Sequence, residues 1–188
     1  MNVITFDLNT KYAAYALFID GEYSECGRVV YQGVGDTKIA SVTEQLVKYF
    51  GGYDIDVMIY ESAYVGVNPN VAKELSKVVG AVLGAFYCLG VRSFLSVPPI
   101  TWQTHIGVGK TSRPKHLALR NTYPDKSTSW IKNRDRENRK QLIIDYVNKR
   151  FGTEHTMSTN DEADAIGIGC YAMDKWPEVF GEKDAKVV

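Results

Sequence analysis

The sequence predicts an α/β fold built on a mixed five-stranded sheet, three antiparallel strands leading into parallel ones, flanked by helices. Three observations carry this. A short apolar run, Val3 to Phe6, is long enough for a central strand and too short for a helix. A strong hairpin signal, Asp20-Gly21, follows between two strand-like stretches. Segments of helical and strand-like patterning then alternate along the chain.

Taken in order, the first strand carries an acid, Asp7, with Leu8 beyond it. Tyr12 to Ile19 and Glu22 to Tyr31 are the hairpin strands. From Asp36, a plausible N-cap, Ile39, Val42, Leu46, Val47 and Phe50 fall at helical spacing, and Gly51-Gly52 stops the helix. Ile55 to Tyr60 is a strand that also ends on an acid, Glu61. Asn68-Pro69 opens a long helix running to about Leu89. Gly80 and Gly84 share one face of it, suited either to packing on the chain's own sheet or to a helix-to-helix dimer contact. Arg92 to Val97 is the fifth strand, and Pro98-Pro99 forces a turn. Gly107 to about Asp135 shows no sustained periodicity. Arg139 to Phe151 is a helix with Leu142, Ile143, Tyr146 and Val147 inward. A last helix, capped by Ser158 or Thr159, runs to about Met173.

Composition narrows the class. A 188-residue chain is most simply a single domain, 1–188, with a short C-terminal tail from about 175. Cys26, Cys88 and Cys170 are odd in number and widely spaced, which argues against a disulfide framework and a structural zinc site and favours a reducing compartment. His105, His116 and His155 have no partners at metal-ligand spacing. No signal peptide or membrane span is expected, so the location is cytoplasmic, in a bacterial cell or a phage-infected host. Gly109-Lys110-Thr111 imitates the end of a phosphate-binding loop, but no strand leads into it.

Charge is segregated. From Lys110 to Arg150, twelve Lys and Arg face four acids, so this stretch carries +8 and the rest of the neutral chain −8. That is the footprint of a polyanion-binding face. Its candidates are Lys110, Arg113, Lys115, Lys132, Arg134, Arg136, Arg139 and Lys140, with Trp130 and Tyr123 able to stack on exposed bases.

The acids form the other signal. Asp7 alone reads as a strand-end turn residue paired with Asn9-Thr10. Asp161 and Asp164 project from one face at the start of the last helix, while Thr159 and Glu162 have the spacing of a capping box. The small, apolar continuation Ala165 to Gly169 suits a helix lying tightly on a sheet, where Asp161 and Asp164 could face Asp7 and Glu61. Four converging carboxylates repel one another, and divalent cations relieve this; magnesium fits an all-oxygen site.

Phe6-Asp7-Leu8, Glu61 within Tyr60-Glu61-Ser62-Ala63-Tyr64, Ile106 to Lys110 and Asp161 to Ile166 together resemble the RuvC-type Holliday junction resolvases, dimeric nucleases with a ribonuclease H-like fold. The resemblance implies that Asp7, Glu61, Asp161 and Asp164 are catalytic and bind two Mg2+ ions, with Mn2+ a possible substitute, and Asp7 bridging the pair. It implies that Tyr64 contacts bases at the junction centre and that Arg139 and Lys140 match a basic DNA-contacting position. The expected activity is paired, magnesium-dependent hydrolysis of four-way DNA junctions by a homodimer, in recombination or branched-DNA processing. Another ribonuclease H-like nuclease, acting on hybrid or flapped DNA, and a non-catalytic junction-binding scaffold are the alternatives. The chain departs from the family pattern at about 111–135, which looks like a basic insertion.

Overall fold

The structure is a computed structural model that describes residues 1–62, 68–109 and 111–176. Tyr64, Lys110 and the tail beyond 176 lie outside the described residues. Five strands, β1 (Val3–Leu8), β2 (Tyr12–Ile19), β3 (Glu22–Val30), β4 (Val57–Glu61) and β5 (Ser93–Val97), form one sheet in the order β3-β2-β1-β4-β5. The β1–β2 and β2–β3 pairs are antiparallel, while β1–β4 and β4–β5 are parallel, as the sequence predicts.

Helices cover both faces. On one, α1 (Gly35–Phe50) and α2 (Pro69–Cys88) bury Leu46, Phe50 and Phe86 against Ile4 and Phe6. On the other, α3 (Pro99–His105), α5 (Thr128–Phe151) and α6 (Asn160–Lys175) bury Trp102, Ile143 and Ile166 against Val3, Phe18 and Ile59. Alternation along β1 sends Ile4, Phe6 and Leu8 to the first face and Val3, Thr5 and Asp7 to the second. Asp7 therefore faces α6 because Phe6 is needed in the opposite core.

The contact between α6 and the sheet is close. The buried Thr5 hydroxyl donates to the Ala165 carbonyl at 2.7 Å, tying the middle of β1 to the helix backbone beside Asp164. Small residues make this possible: a Cβ at Gly169 would lie 2.0 Å from Phe18 Cε2, and one at Gly167 2.7 Å from Trp102 Cζ3. Both aromatic rings are fixed in the core, so neither can yield cheaply. Gly169→Ala is expected to cost about 3 kcal/mol, lowering the melting temperature by about 6–12 °C for a chain of this size. Calorimetry measures this; a midpoint within a degree of wild type would show that the α6 contact is loose.

Several elements differ from expectation. Pro98-Pro99 does not merely turn the chain: Pro99 opens α3, because a proline at the first helical position forgoes an N–H that has no helical partner there. Asp36 lies inside the first turn of α1 and Val34 occupies the N-cap, where the Thr37 hydroxyl donates to its carbonyl at 2.7 Å. The stretch expected to lack periodicity contains α4 (Arg113–Thr122) and the first half of α5. No residue of α4 is buried, and in α5 only Ile131 is buried before Ile143, so no apolar stripe announces either helix. The α5 phase is also rotated: Ile144 is buried, while Leu142 is exposed and lines a cavity between α4 and α5. Gly80 and Gly84 are exposed and meet nothing within 4 Å, which removes packing on the chain's own sheet as their explanation. Trp130 and Tyr123 pack on one another edge to face at 4.9 Å.

Candidate active site

Strand register brings the first two acids together. Phe6 pairs with Tyr60 across parallel β1 and β4, so the next residues, Asp7 and Glu61, fall side by side at the C-terminal ends of central strands. The first turn of α6 then sets Asp161 and Asp164 above them, held there by the Thr5–Ala165 bond and the glycine contacts. Carboxylate oxygens of Asp7, Asp161 and Asp164 lie within 4.8 Å of one another. Glu61 lines the same cleft but stands outside that cluster, its Oε2 accepting from Trp102 Nε1 at 2.8 Å. The cleft encloses about 660 Å3 and is also lined by Asn9, Gln103, Arg136, Arg139 and Lys140.

The electrostatics are those of like charges crowded in a poorly hydrated place. Burial, then repulsion from Asp164, Glu61 and Asp161, raises the Asp7 carboxyl well above its ordinary range. Burial likewise pushes Asp164 up to about 7, against the opposing pull of Lys140, and raises Glu61. Asp161 goes the other way. Burial works to raise it, but the Tyr12 hydroxyl, donating to Oδ2 at 2.6 Å, and Lys140, 3.1 Å from Oδ1, outweigh that and hold it below its usual value. Lys140 also lies 4.0 Å from Asp164 Oδ2. Among the described residues, Asp164 Oδ1 is buried with no hydrogen-bond partner.

An all-carboxylate donor set, mutual repulsion and an unpaired buried oxygen fit a hard divalent cation better than they fit any protein partner. Asp7, Asp161 and Asp164 are the residues placed to hold one, with Glu61 at the edge of the same cleft.

The basic candidates divide into two groups. Arg136, Arg139 and Lys140 line the acid cleft from α5. Arg113, Lys115, Lys132 and Arg134 are exposed on α4 and the first half of α5, outside it. Lys132, Arg136 and Lys140 recur every four residues and share a helix face, spanning about 12 Å at 1.5 Å per residue.

Four contributors escape sequence reasoning. Asn9 forms the turn that Asp7 was expected to form, its Oδ1 accepting from the Lys11 and Tyr12 backbones at 2.8 and 3.0 Å. Tyr12 and Trp102 hold acids through single polar atoms on otherwise apolar rings, which no spacing rule reveals. Glu162, expected to complete a capping box with Thr159, is instead buried and accepts two bonds from Arg28, at 2.6 and 2.5 Å. The preceding Thr156–Thr159 pair takes the capping role, with Thr156 N donating to Thr159 Oγ1 at 3.0 Å. His155 meets Cys26 and Thr159, not the acids.

Comparison with solved structures places this architecture. Thermus thermophilus RuvC in complex with Holliday junction substrate superposes with a TM-score of 0.67 at 12% identity, covering 93% of this chain and 94% of that one. The chain has a RuvC-type fold. A second structure of T. thermophilus RuvC gives 0.65 at 11% identity over 93% and 95% of the two chains. The yeast mitochondrial Holliday junction resolvase Ydc2 gives 0.52 at 12% identity over 91% and 77%. No family model matches the sequence, and no curated protein matches it. With identities this low, the RuvC likeness shows a ribonuclease H-like fold; the chemistry rests on the residues above. Among the described residues, no helix is long and apolar enough to cross a membrane.

Proposed function

We propose that the protein is a magnesium-dependent endonuclease that resolves four-way DNA junctions by paired hydrolysis. The observation that carries this is the convergence of Asp7, Asp161 and Asp164 in a cleft rimmed by Arg136, Arg139 and Lys140. Asp7, Glu61, Asp161 and Asp164 would hold two Mg2+ ions, which when bound acidify an attacking water and offset charge on the leaving oxygen of a phosphodiester. Arg136 and Arg139 would orient the phosphate by hydrogen bonding, and the Lys132–Arg136–Lys140 face would follow the strand outward. The solved RuvC and fowlpox virus resolvase complexes with Holliday junction DNA support a branched substrate for this fold.

A homodimer would set two such sites for paired nicks. Its support is the exposed α2 face carrying Gly80, Gly84 and Tyr87, where a second backbone could approach. The insertion built from α4 and the start of α5 would add a basic surface for a junction arm. Tyr64 and Lys110 are proposed as further DNA contacts. The scaffold alternative is disfavoured by the acids themselves: a module that only bound DNA would gain nothing from repelling phosphate there.

The test is cleavage of labelled four-way junction, plain duplex, RNA–DNA hybrid and flapped DNA, each with Mg2+ or chelator. Symmetric nicking of the junction alone is expected. Preferential cutting of hybrid or flap would assign another ribonuclease H-like substrate, and binding without cleavage would leave a scaffold. Junction affinity should fall steeply with salt, and Lys132→Ala should reduce the logarithmic salt slope by about 1.

A further inference from the structure

In the described form both oxygens of Asp161 are already taken by protein donors, Oδ2 by Tyr12 and Oδ1 by Lys140. For Asp161 to share a cation with Asp7 and Asp164, at least one of them has to give way. The two donors are held very differently.

Tyr12 belongs to a closed ring of contacts. Arg28 lies on the neighbouring strand, two residues from the cross-strand partner of Tyr12, and its guanidinium sits over the Tyr12 ring, 4.5 Å from the centroid. The same guanidinium makes two bonds to Glu162, at 2.6 and 2.5 Å, and a third to the Ser158 carbonyl at 3.1 Å. Glu162 is 6% exposed and is the chain neighbour of Asp161. The path Tyr12, Asp161, Glu162, Arg28 and back to Tyr12 thus joins β2, β3 and α6. Apart from the peptide bond that joins Asp161 to Glu162, every link is a charged pair, a charge-assisted hydrogen bond or a face contact, so the hydroxyl is aimed before any ligand arrives. A planar fork bonded at both ends, as in Arg28, has little freedom left.

Among the described residues, Lys140 has no such brace. It reaches Asp161 from α5 on a flexible stem, and its contacts in the cleft are with Asp161 and Asp164. It neutralises the acids in the position a cation would neutralise them.

We propose that Tyr12, clamped by Arg28 and Glu162, is a positioning residue that fixes the Asp161 carboxylate, and that Lys140 is a resident counter-charge displaced when a divalent cation binds. Tyr12 keeps Oδ2, so the carboxylate cannot rotate, and Oδ1 becomes the ligand once Lys140 leaves. The freed ammonium stays in a cleft shared with Arg136 and Arg139, where a phosphate would be its next partner. The inference rests on reading the acids as a cation site.

The two residues then have opposite effects on cation affinity, which a merely structural role would not produce. Mn2+ binding to the full chain, without DNA, can be followed by electron paramagnetic resonance of the free ion. Tyr12→Phe keeps the ring over Arg28 and removes only the hydroxyl; it should weaken Mn2+ binding about tenfold or more, the usual effect of losing a partner that orients a ligand. Arg28→Lys, which keeps a positive charge beside Asp161 and Glu162 but gives up the planar fork over the Tyr12 ring, should weaken it less. Lys140→Met should tighten Mn2+ binding severalfold while weakening junction binding. In cleavage, Tyr12→Phe should need more metal for half-maximal rate yet approach the wild-type maximum at saturation. Wild-type affinity in Tyr12→Phe, or unchanged or weaker Mn2+ binding in Lys140→Met, overturns the proposal while leaving the cation site intact. A wild-type chain that binds no Mn2+ removes both the proposal and the reading beneath it, and so is told apart from either.

Discussion

Asp7→Asn is expected to abolish junction cleavage, by about 10³-fold or more (about 4 kcal/mol at 1.36 kcal/mol per decade), while leaving junction binding intact or tighter. Asp7 is the acid that every other one faces: burial does most to raise its carboxyl, and Asp164, Glu61 and Asp161 all repel it. An amide has the same shape but carries no charge for a cation to neutralise, so the site loses one of its proposed ligands. The same change relieves repulsion in the empty cleft. The variant should therefore melt higher than wild type in chelator, by about 2–4 °C for each kcal/mol of repulsion removed. Single-turnover cleavage, a mobility-shift titration and calorimetry together check this. A variant that still cleaves near the wild-type rate would show that the cluster is not the chemical centre. One that loses junction binding would show that Asp7 acts on DNA contact.

The parts of the molecule that sequence discloses are those written in period or in turn chemistry. The hairpin follows from Asp20-Gly21, and β2 begins and ends where the residues say. Asp7, Asp161 and Asp164 could be proposed to meet because Asp161 and Asp164 share one face at the start of a small, apolar helix suited to lying tightly on the sheet, where they could face the strand that carries Asp7. What stayed hidden has no period. Half of α5 is helical with one buried residue, held by its Ser127 cap, whose Oγ accepts from Trp130 N at 3.2 Å, and by continuity with the buried half. Glu162 is the sharpest case. Its spacing from Thr159 satisfies a capping rule, yet Arg28, distant in sequence and brought close by β3, offers two charged donors and outcompetes a backbone N–H. The consequence is functional, because that pair underlies the clamp on Asp161.

Without divalent cations, the acid cluster is expected to make the protein less stable as pH rises from about 4 to beyond 7. Asp164 is pushed up to about 7, and Asp7 and Glu61 are raised with it, whereas in the unfolded chain such groups ionise near 4. Below that lower value both states are protonated and the cluster contributes no pH dependence. Between the two, the native state retains protons that the unfolded state has released, so stability falls with each pH unit. Above the raised values the full penalty is present, on the order of a few kcal/mol for so buried a group. Asp161, held low by Tyr12 and Lys140, has the opposite sign: its contribution is present above the unfolded value and is lost only in more acid solution, outside this window. The comparison of wild type with Asp164→Asn in chelator isolates Asp164 and the repulsion it exerts on Asp7, since titrating groups outside the cluster cancel. Their melting temperatures should agree near pH 4 and diverge in favour of the variant by pH 8. Saturating Mg2+ should then raise the wild type at pH 8, where the carboxylates are ionised, and do little at pH 5, where protons compete. Parallel curves for the two proteins in chelator would mean that Asp164 ionises in the folded protein without penalty, and the raised carboxyl would be refuted.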